Sequence, residues 1–134
     1  MFISGTGSNL GSLIKFSRKK KSPISINLII SSDPKAKGLN YGKKNKIKSK
    51  VFNFKKNYII ENQILSLLQN YNIKMICLAG FMRILSRNFI TKFRGKILNI
   101  HPSLLPKYKG LDTHKRALEN NEIYSGCTVH FVNS

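Results

Sequence analysis

Strand-length apolar runs alternate along this chain with stretches of helical periodicity, and that alternation restricts the fold more than any other feature. ISINLII (residues 24–30), MICLAG (75–80), KILNI (96–100) and CTVHFV (127–132) read as strands, with a shorter candidate at 51–54. Ile60, Ile64, Leu67, Leu68 and Tyr71 fall on one face of a helix spanning 57–71, and residues 113–120 read as another helix. MICLAG is apolar without interruption until its glycine, the pattern of a strand covered on both faces. Strands separated by helices of this length imply βαβ units. The expected class is therefore α/β: a Rossmann-like, open, mostly parallel sheet with helices on both faces. The 134 residues suit one domain, 1–134. Ligands of such sheets bind beyond the carboxyl ends of the strands, here residues 5–9, 80–85 and 99–106.

Each of these segments carries a motif. SGTGSNL (4–10) follows a short apolar stretch and opens a helix that runs through Leu13 and Phe16. Its glycines let backbone N–H groups approach a ligand, and the helix start behind them carries partial positive charge, a geometry suited to a phosphate monoester. Leu10 stands where a dinucleotide fingerprint needs glycine, and no Gly-Lys-Ser/Thr follows as in a Walker loop. A tight strand-to-helix turn with Ser/Asn capping accounts for the same residues. AGFMRIL (79–85) leaves its strand through a glycine. Met82, Ile84 and Leu85 offer apolar walls there, and Arg83 is either a carboxylate partner or a surface charge. In NIHPSLLP, Asn99 and His101 are two apart and so share one face of a strand. An amide donor and an imidazole together suit acyl transfer, with one stabilising an oxyanion and the other handling a proton. The competing reading is a structural histidine that bonds the turn. His130 reads as a strand histidine at the core's edge, and His114 as a capping or surface residue.

Taken in order, ISGTGSNL, LAGFMRILS, ILNIHPSLLPKYKGLDTHKRALEN and SGCTVHFV resemble phosphoribosylglycinamide formyltransferase over most of the chain, most weakly across 35–58. The resemblance implies transfer of a formyl group from 10-formyltetrahydrofolate, a co-substrate, to the amine of 5-phosphoribosylglycinamide in purine biosynthesis, with no metal. Carried over, Gly7, Ser8 and Asn9 hold the substrate phosphate, and Met82, Arg83, Ile84 and Leu85 form the folate-binding segment. Asn99 contacts the formyl donor and stabilises the oxyanion, His101 is the catalytic proton donor, and Thr128 lines the site. Lys55 or Lys56 is a candidate for a basic residue that helps bind folate. The methionyl-tRNA enzyme shares the asparagine–histidine arrangement, but its loop usually runs Arg-Gly-Ala-Ala-Pro where this chain has KGLDTHKRAL. The resemblance also implies truncation at both ends. The family has several more residues before ISG. After VHFV it continues to an aspartate, within Asp-x-Gly-Pro, that pairs with the histidine, whereas this sequence runs to Ser134.

The charge balance admits a second class of function. Lys and Arg number 24 against 5 Asp and Glu, a formal net charge of +19. Such an excess attracts polyanions, so a non-catalytic homologue that binds RNA or DNA is the alternative, with nucleic acid as a non-specific partner. Base-composition drift at solvated positions accounts for the same lysines. No opening segment resembles a signal peptide, and no run approaches the roughly 20 apolar residues of a membrane span. Cys77 and Cys127 lack metal-ligand spacing and read as two buried thiols in a reducing, cytoplasmic setting.

Overall fold

The computed structural model describes every residue except Lys55, Lys56, Leu111 and Ser134, together with the backbone alone of Asn57. The two lysines considered for folate binding therefore lie outside the described residues. Six strands form one sheet: β1 (Phe2–Ile3), β2 (Leu28–Ser31), β3 (Lys48–Val51), β4 (Met75–Leu78), β5 (Lys96–His101) and β6 (Thr128–Phe131). Their spatial order is β3-β2-β1-β4-β5-β6, parallel throughout except for the antiparallel edge strand β6. The helices are α1 (Ser8–Ser17), α2 (Leu39–Lys44), α3 (Asn57–Asn70), α4 (Arg87–Lys92) and α5 (Thr113–Glu119).

Alternating side chains place a core on each face of the sheet. On one face Phe2, Leu28, Ile30, Ile76, Leu78 and Ile97 meet Ile64 and Leu68 of α3 and Phe89 of α4. On the other, Ile3, Ile29 and Ala79 meet Leu10 and Ile14 of α1. The expected α/β class, with helices on both faces, is what the chain adopts.

Two strand boundaries are corrected. Of ISINLII only the second half joins the ladder, because β2 extends no further than its neighbours: Leu28 pairs with Lys48, and Phe2 with Ile30. The strand expected at 51–54 lies instead at Lys48–Val51, in a lysine-rich segment without an apolar run. Exposed lysines suit this edge, since charge there opposes pairing with another sheet. The six-residue helices α2 and α4 were not expected from periodicity. The thiols also differ from expectation, with Cys77 partly buried and Cys127 exposed. Burial pushes the Cys77 thiol up from its ordinary value. Among the described residues no helix is long and apolar enough to cross a membrane.

Strand order reverses between β1 and β4. The first three strands step one way from β1, and the chain then crosses to β4 on its other side. That reversal opens a crevice at the strands' carboxyl ends. Ser4 seals its floor: its N–H donates to the Gly80 carbonyl (3.1 Å), and its hydroxyl accepts from the Met82 N–H (2.8 Å). The glycine turn after β1 and the segment after β4 are thereby fixed to one another.

Candidate active site

The glycine turn owes its shape to packing as well as to any ligand. Gly7 caps α1 with φ 78°, in the left-handed region, and a Cβ there would lie 2.6 Å from the Gly38 Cα. Only glycine meets both demands. No side chain caps α1 and no acidic residue occupies its first turn, so its leading N–H groups keep their capacity to bind an anion. Ser8 and Asn9 are exposed at this start.

After β4, residues 80–85 run across the top of the sheet. Leu85 is buried, whereas Met82 is 66 % and Ile84 91 % exposed. Arg83, Ile84, Leu85, Asn99 and His130 line a cleft of about 430 Å3, together with Leu78, Ile90 and Val132. Met82 is held through its backbone, and its side chain lies outside the cleft lining. The segment is anchored at its far end by Glu61, a residue of α3 that is 1 % exposed. The Glu61 carboxylate accepts from the Ser86 N–H (2.8 Å) and from the Ser86 hydroxyl. That hydroxyl in turn accepts from the Phe89 N–H (3.0 Å) and caps α4.

Asn99 and His101 project from the same face of β5. The antiparallel register sets Asn99 opposite His130 and His101 opposite Thr128, so all four side chains share that face. Asn99 Nδ2 lies 3.3 Å from His130 Nε2, and His130 Nδ1 lies 3.0 Å from the Phe131 carbonyl. A carbonyl only accepts, so Nδ1 carries the His130 proton and Nε2 accepts from Asn99. The amide keeps a second N–H for another partner. The His101 ring stands edge-on to His130, with centroids 6.4 Å apart, and does not itself line the cleft. His101 Nε2 lies 3.0 Å from the Tyr108 carbonyl, so it bears a hydrogen and Nδ1 is left for chemistry.

The loop after His101 is built around that contact. The Ser103 hydroxyl donates to the Lys107 and Tyr108 carbonyls. The Thr128 hydroxyl donates to the Ser103 carbonyl (2.8 Å) and accepts from the Leu105 N–H (3.0 Å). The threonine that the resemblance makes a site-lining residue thus spends its hydroxyl on holding the loop. Glu122 Oε1 accepts from Lys107 Nζ (2.8 Å) and the Tyr108 hydroxyl (2.9 Å). The Lys107 ammonium and the tyrosine hydroxyl hold the Glu122 carboxyl below its ordinary range, and Lys107 is raised in turn.

His130 and Glu61 are the residues that sequence reasoning missed. The first had one available signal: Thr128 and His130 repeat the two-residue spacing of Asn99 and His101 on a strand that could pair with theirs. Glu61 had none, because a carboxylate on an apolar helix face gives no sign of its partner. His114 is exposed on α5, as expected of a surface residue. Among the described residues no group of three or more His, Cys, Asp or Glu could hold a metal.

The formyl transferase family profile matches residues 1–134. The human trifunctional purine biosynthetic protein adenosine-3 is 46 % identical over 98 % of this chain, which spans 13 % of that protein. A phosphoribosylglycinamide formyltransferase of Haemophilus influenzae is 44 % identical over 99 % of the chain, which spans 64 % of its length. The crystal structure of phosphoribosylglycinamide formyltransferase from Anaplasma phagocytophilum superposes with a TM-score of 0.93 at 38 % identity, covering 99 % of this chain and 63 % of that one. The counterpart from Brucella melitensis gives 0.91 at 43 % identity, covering 98 % and 70 %. The family profile, the sequence identity and the overall fold agree, and this chain belongs to the formyl transferase family.

Proposed function

We propose that the chain carries the formyl-transfer centre of a cytoplasmic enzyme that moves a formyl group from 10-formyltetrahydrofolate to the amine of 5-phosphoribosylglycinamide. The observation that carries this reading is the convergence of Asn99, His101 and His130 on one sheet face, beside a cleft bounded by Arg83, Ile84 and Leu85.

The cleft fits a folate-type donor. Its volume of about 430 Å3 lies within the usual range for small-molecule sites. Leu78, Leu85, Ile90 and Val132 supply apolar walls for a flat ring, and Asn99 and His130 supply polar groups. Arg83 and Arg87 line it with no carboxylate among the described lining residues, which suits the donor's carboxylate tail. Bound there, the donor supplies an activated one-carbon unit. Gly7, Ser8 and Asn9 hold the substrate phosphate at the start of α1, and β4 alone separates β1 from β5 in the sheet. Two strand spacings are roughly 10 Å, a reach suited to a molecule gripped at its phosphate and reacting at its far amine.

In the reaction the amine forms a bond to the formyl carbon, the bond from that carbon to the donor nitrogen breaks, and one proton passes overall from amine to donor. The second N–H of Asn99 faces the oxygen that gains charge, while His130 Nε2 holds the amide in place. His101, fixed at Nε2 by the Tyr108 carbonyl, moves the proton at Nδ1.

The test is saturable binding of 5-phosphoribosylglycinamide, followed by formyl transfer. Ser8→Asp places a negative charge at the anion site and should abolish binding; unchanged binding contradicts the phosphate assignment. Salt dependence of RNA binding separates the polyanion alternative, which requires a steep log–log slope.

A further inference from the structure

We propose that Glu122 is a positioning residue which, by holding Lys107 and Tyr108, fixes the Tyr108 carbonyl against His101 and so decides which ring nitrogen of His101 carries the proton. The consequence for catalysis rests on the proposed role of His101 in formyl transfer.

The described residues between Pro102 and Asp112 contain no strand or helix, so side-chain tethers set where their carbonyls point. Tyr108 sits at φ 55°, a left-handed conformation that a non-glycine residue keeps only when its surroundings hold it. Three groups hold it. Glu122 Oε1 accepts from its hydroxyl and from the neighbouring Lys107 ammonium. The Arg116 guanidinium lies 5.3 Å from its ring centroid and donates to the Lys109 carbonyl at 2.7 Å. Ser103, 5 % exposed, gathers the Lys107 and Tyr108 carbonyls from beneath. Among the described residues the charged groups in these contacts are Lys107, Arg116 and Glu122, and Glu122 is the anion that joins two of the tethers. Without it, Lys107 and the tyrosine hydroxyl both lose their acceptor, only Ser103 and Arg116 still hold the loop, and the contact of the Tyr108 carbonyl with His101 loosens. The neutral ring can then move its proton to Nδ1, the nitrogen that must be free to accept one.

Long-range 1H–15N NMR of the histidine rings in the full 134-residue chain tests this directly. In the wild type, neutral His101 should hold its proton on Nε2 by about tenfold over Nδ1, the ratio a hydrogen bond of ordinary strength supports. Glu122→Ala should lower that ratio severalfold, and Glu122→Gln should restore part of it, because the amide oxygen still accepts from the tyrosine. His130, tied to Asn99 and Phe131, should stay protonated at Nδ1 in every variant and serves as the internal reference. An unchanged His101 tautomer in a folded Glu122→Ala variant overturns the proposal. Should that variant fail to fold, Tyr108→Phe removes only the hydroxyl tether and should shift the ratio in the same direction by less; no shift overturns the proposal. A tautomer change in a protein that never binds a formyl donor would instead overturn the enzymatic reading, with the Glu122 tether standing.

Discussion

Replacing Glu61 with alanine removes the anchor of the segment that borders the cleft. The carboxylate lies under α4, almost fully buried, and takes both the Ser86 N–H and the Ser86 hydroxyl. Ser86 follows Leu85 directly and starts α4, so the same contact sets the wall of the cleft and the cap of the helix. Alanine leaves two inward-facing donors without an acceptor. Each such loss costs about 1–3 kcal/mol, and the void adds about 1 kcal/mol, for a total of about 3–5 kcal/mol after partial relaxation. Glutamine keeps the volume and one acceptor oxygen for the backbone N–H. Its amide nitrogen then faces the Ser86 hydroxyl, which must give up its own donation, so the cost falls to about 1–2 kcal/mol. Domain stabilities run to about 5–15 kcal/mol, and alanine should remove a large share of that margin. Urea denaturation should show the midpoint falling in the order wild type, Glu61→Gln, Glu61→Ala with an unchanged slope. Because Ser86 supplies both donors, the Glu61→Ala/Ser86→Ala pair should be non-additive, costing less than the sum of the single variants. An alanine loss within about 1 kcal/mol, or strict additivity, would refute the claim that this contact holds the segment.

Gly7→Ala should cost about 2–4 kcal/mol in the same assay, because it sets a Cβ 2.6 Å from the Gly38 Cα at φ 78°. Asn99→Ala should lower formyl transfer about 10²–10³-fold, read as kcat, while binding of the phosphorylated substrate stays unchanged. The Lys107–Glu122 contact should tether the loop across a defined pH window, followed by amide exchange at Tyr108. The Glu122 carboxyl is depressed, so its contribution is full above the ordinary value of about 4.3 and is lost as pH falls through the lower folded value. Lys107 is raised, so its contribution is full below about 10.4 and is lost as pH rises through the higher folded value. Tyr108 exchange should accordingly be slowest relative to an unstructured amide between these limits and gain protection factor nowhere outside them.

The parts of the fold legible in the sequence are those marked by strand-length apolar runs. MICLAG and KILNI are such runs, and β4 and β5 form on them, with Ile76, Leu78 and Ile97 buried in the core of one sheet face. ISINLII is equally apolar yet only half of it is strand, because strand length depends on the partner's reach, which no local pattern records. β3 was hidden for the opposite reason: an edge strand with exposed lysines looks like a loop until its register with β2 is known. The same limit applies to the site. Asn99 and His101 are two apart on one strand, so their common face follows from the pleat alone. His130 joins them only through antiparallel pairing across 31 positions of sequence. Gly7 shows a residue with two demands on it, since ligand approach and the Gly38 contact ask for the same atom to be absent. The lysine excess is spread over helix ends and the β3 edge, where Lys15, Lys43, Lys44 and Lys92 sit in last turns and complement the helix dipoles.

The most direct test of the central claim is titration of the chain with 10-formyltetrahydrofolate while the side-chain amide of Asn99, the ring of His130 and the methyls of Leu85 are followed by NMR. Saturable shifts at all three with one dissociation constant, weakened about tenfold by Asn99→Ala, are predicted. Shifts confined to the opposite end of the sheet, around Lys74 and Arg94, with Asn99 and His130 unmoved, would contradict the account.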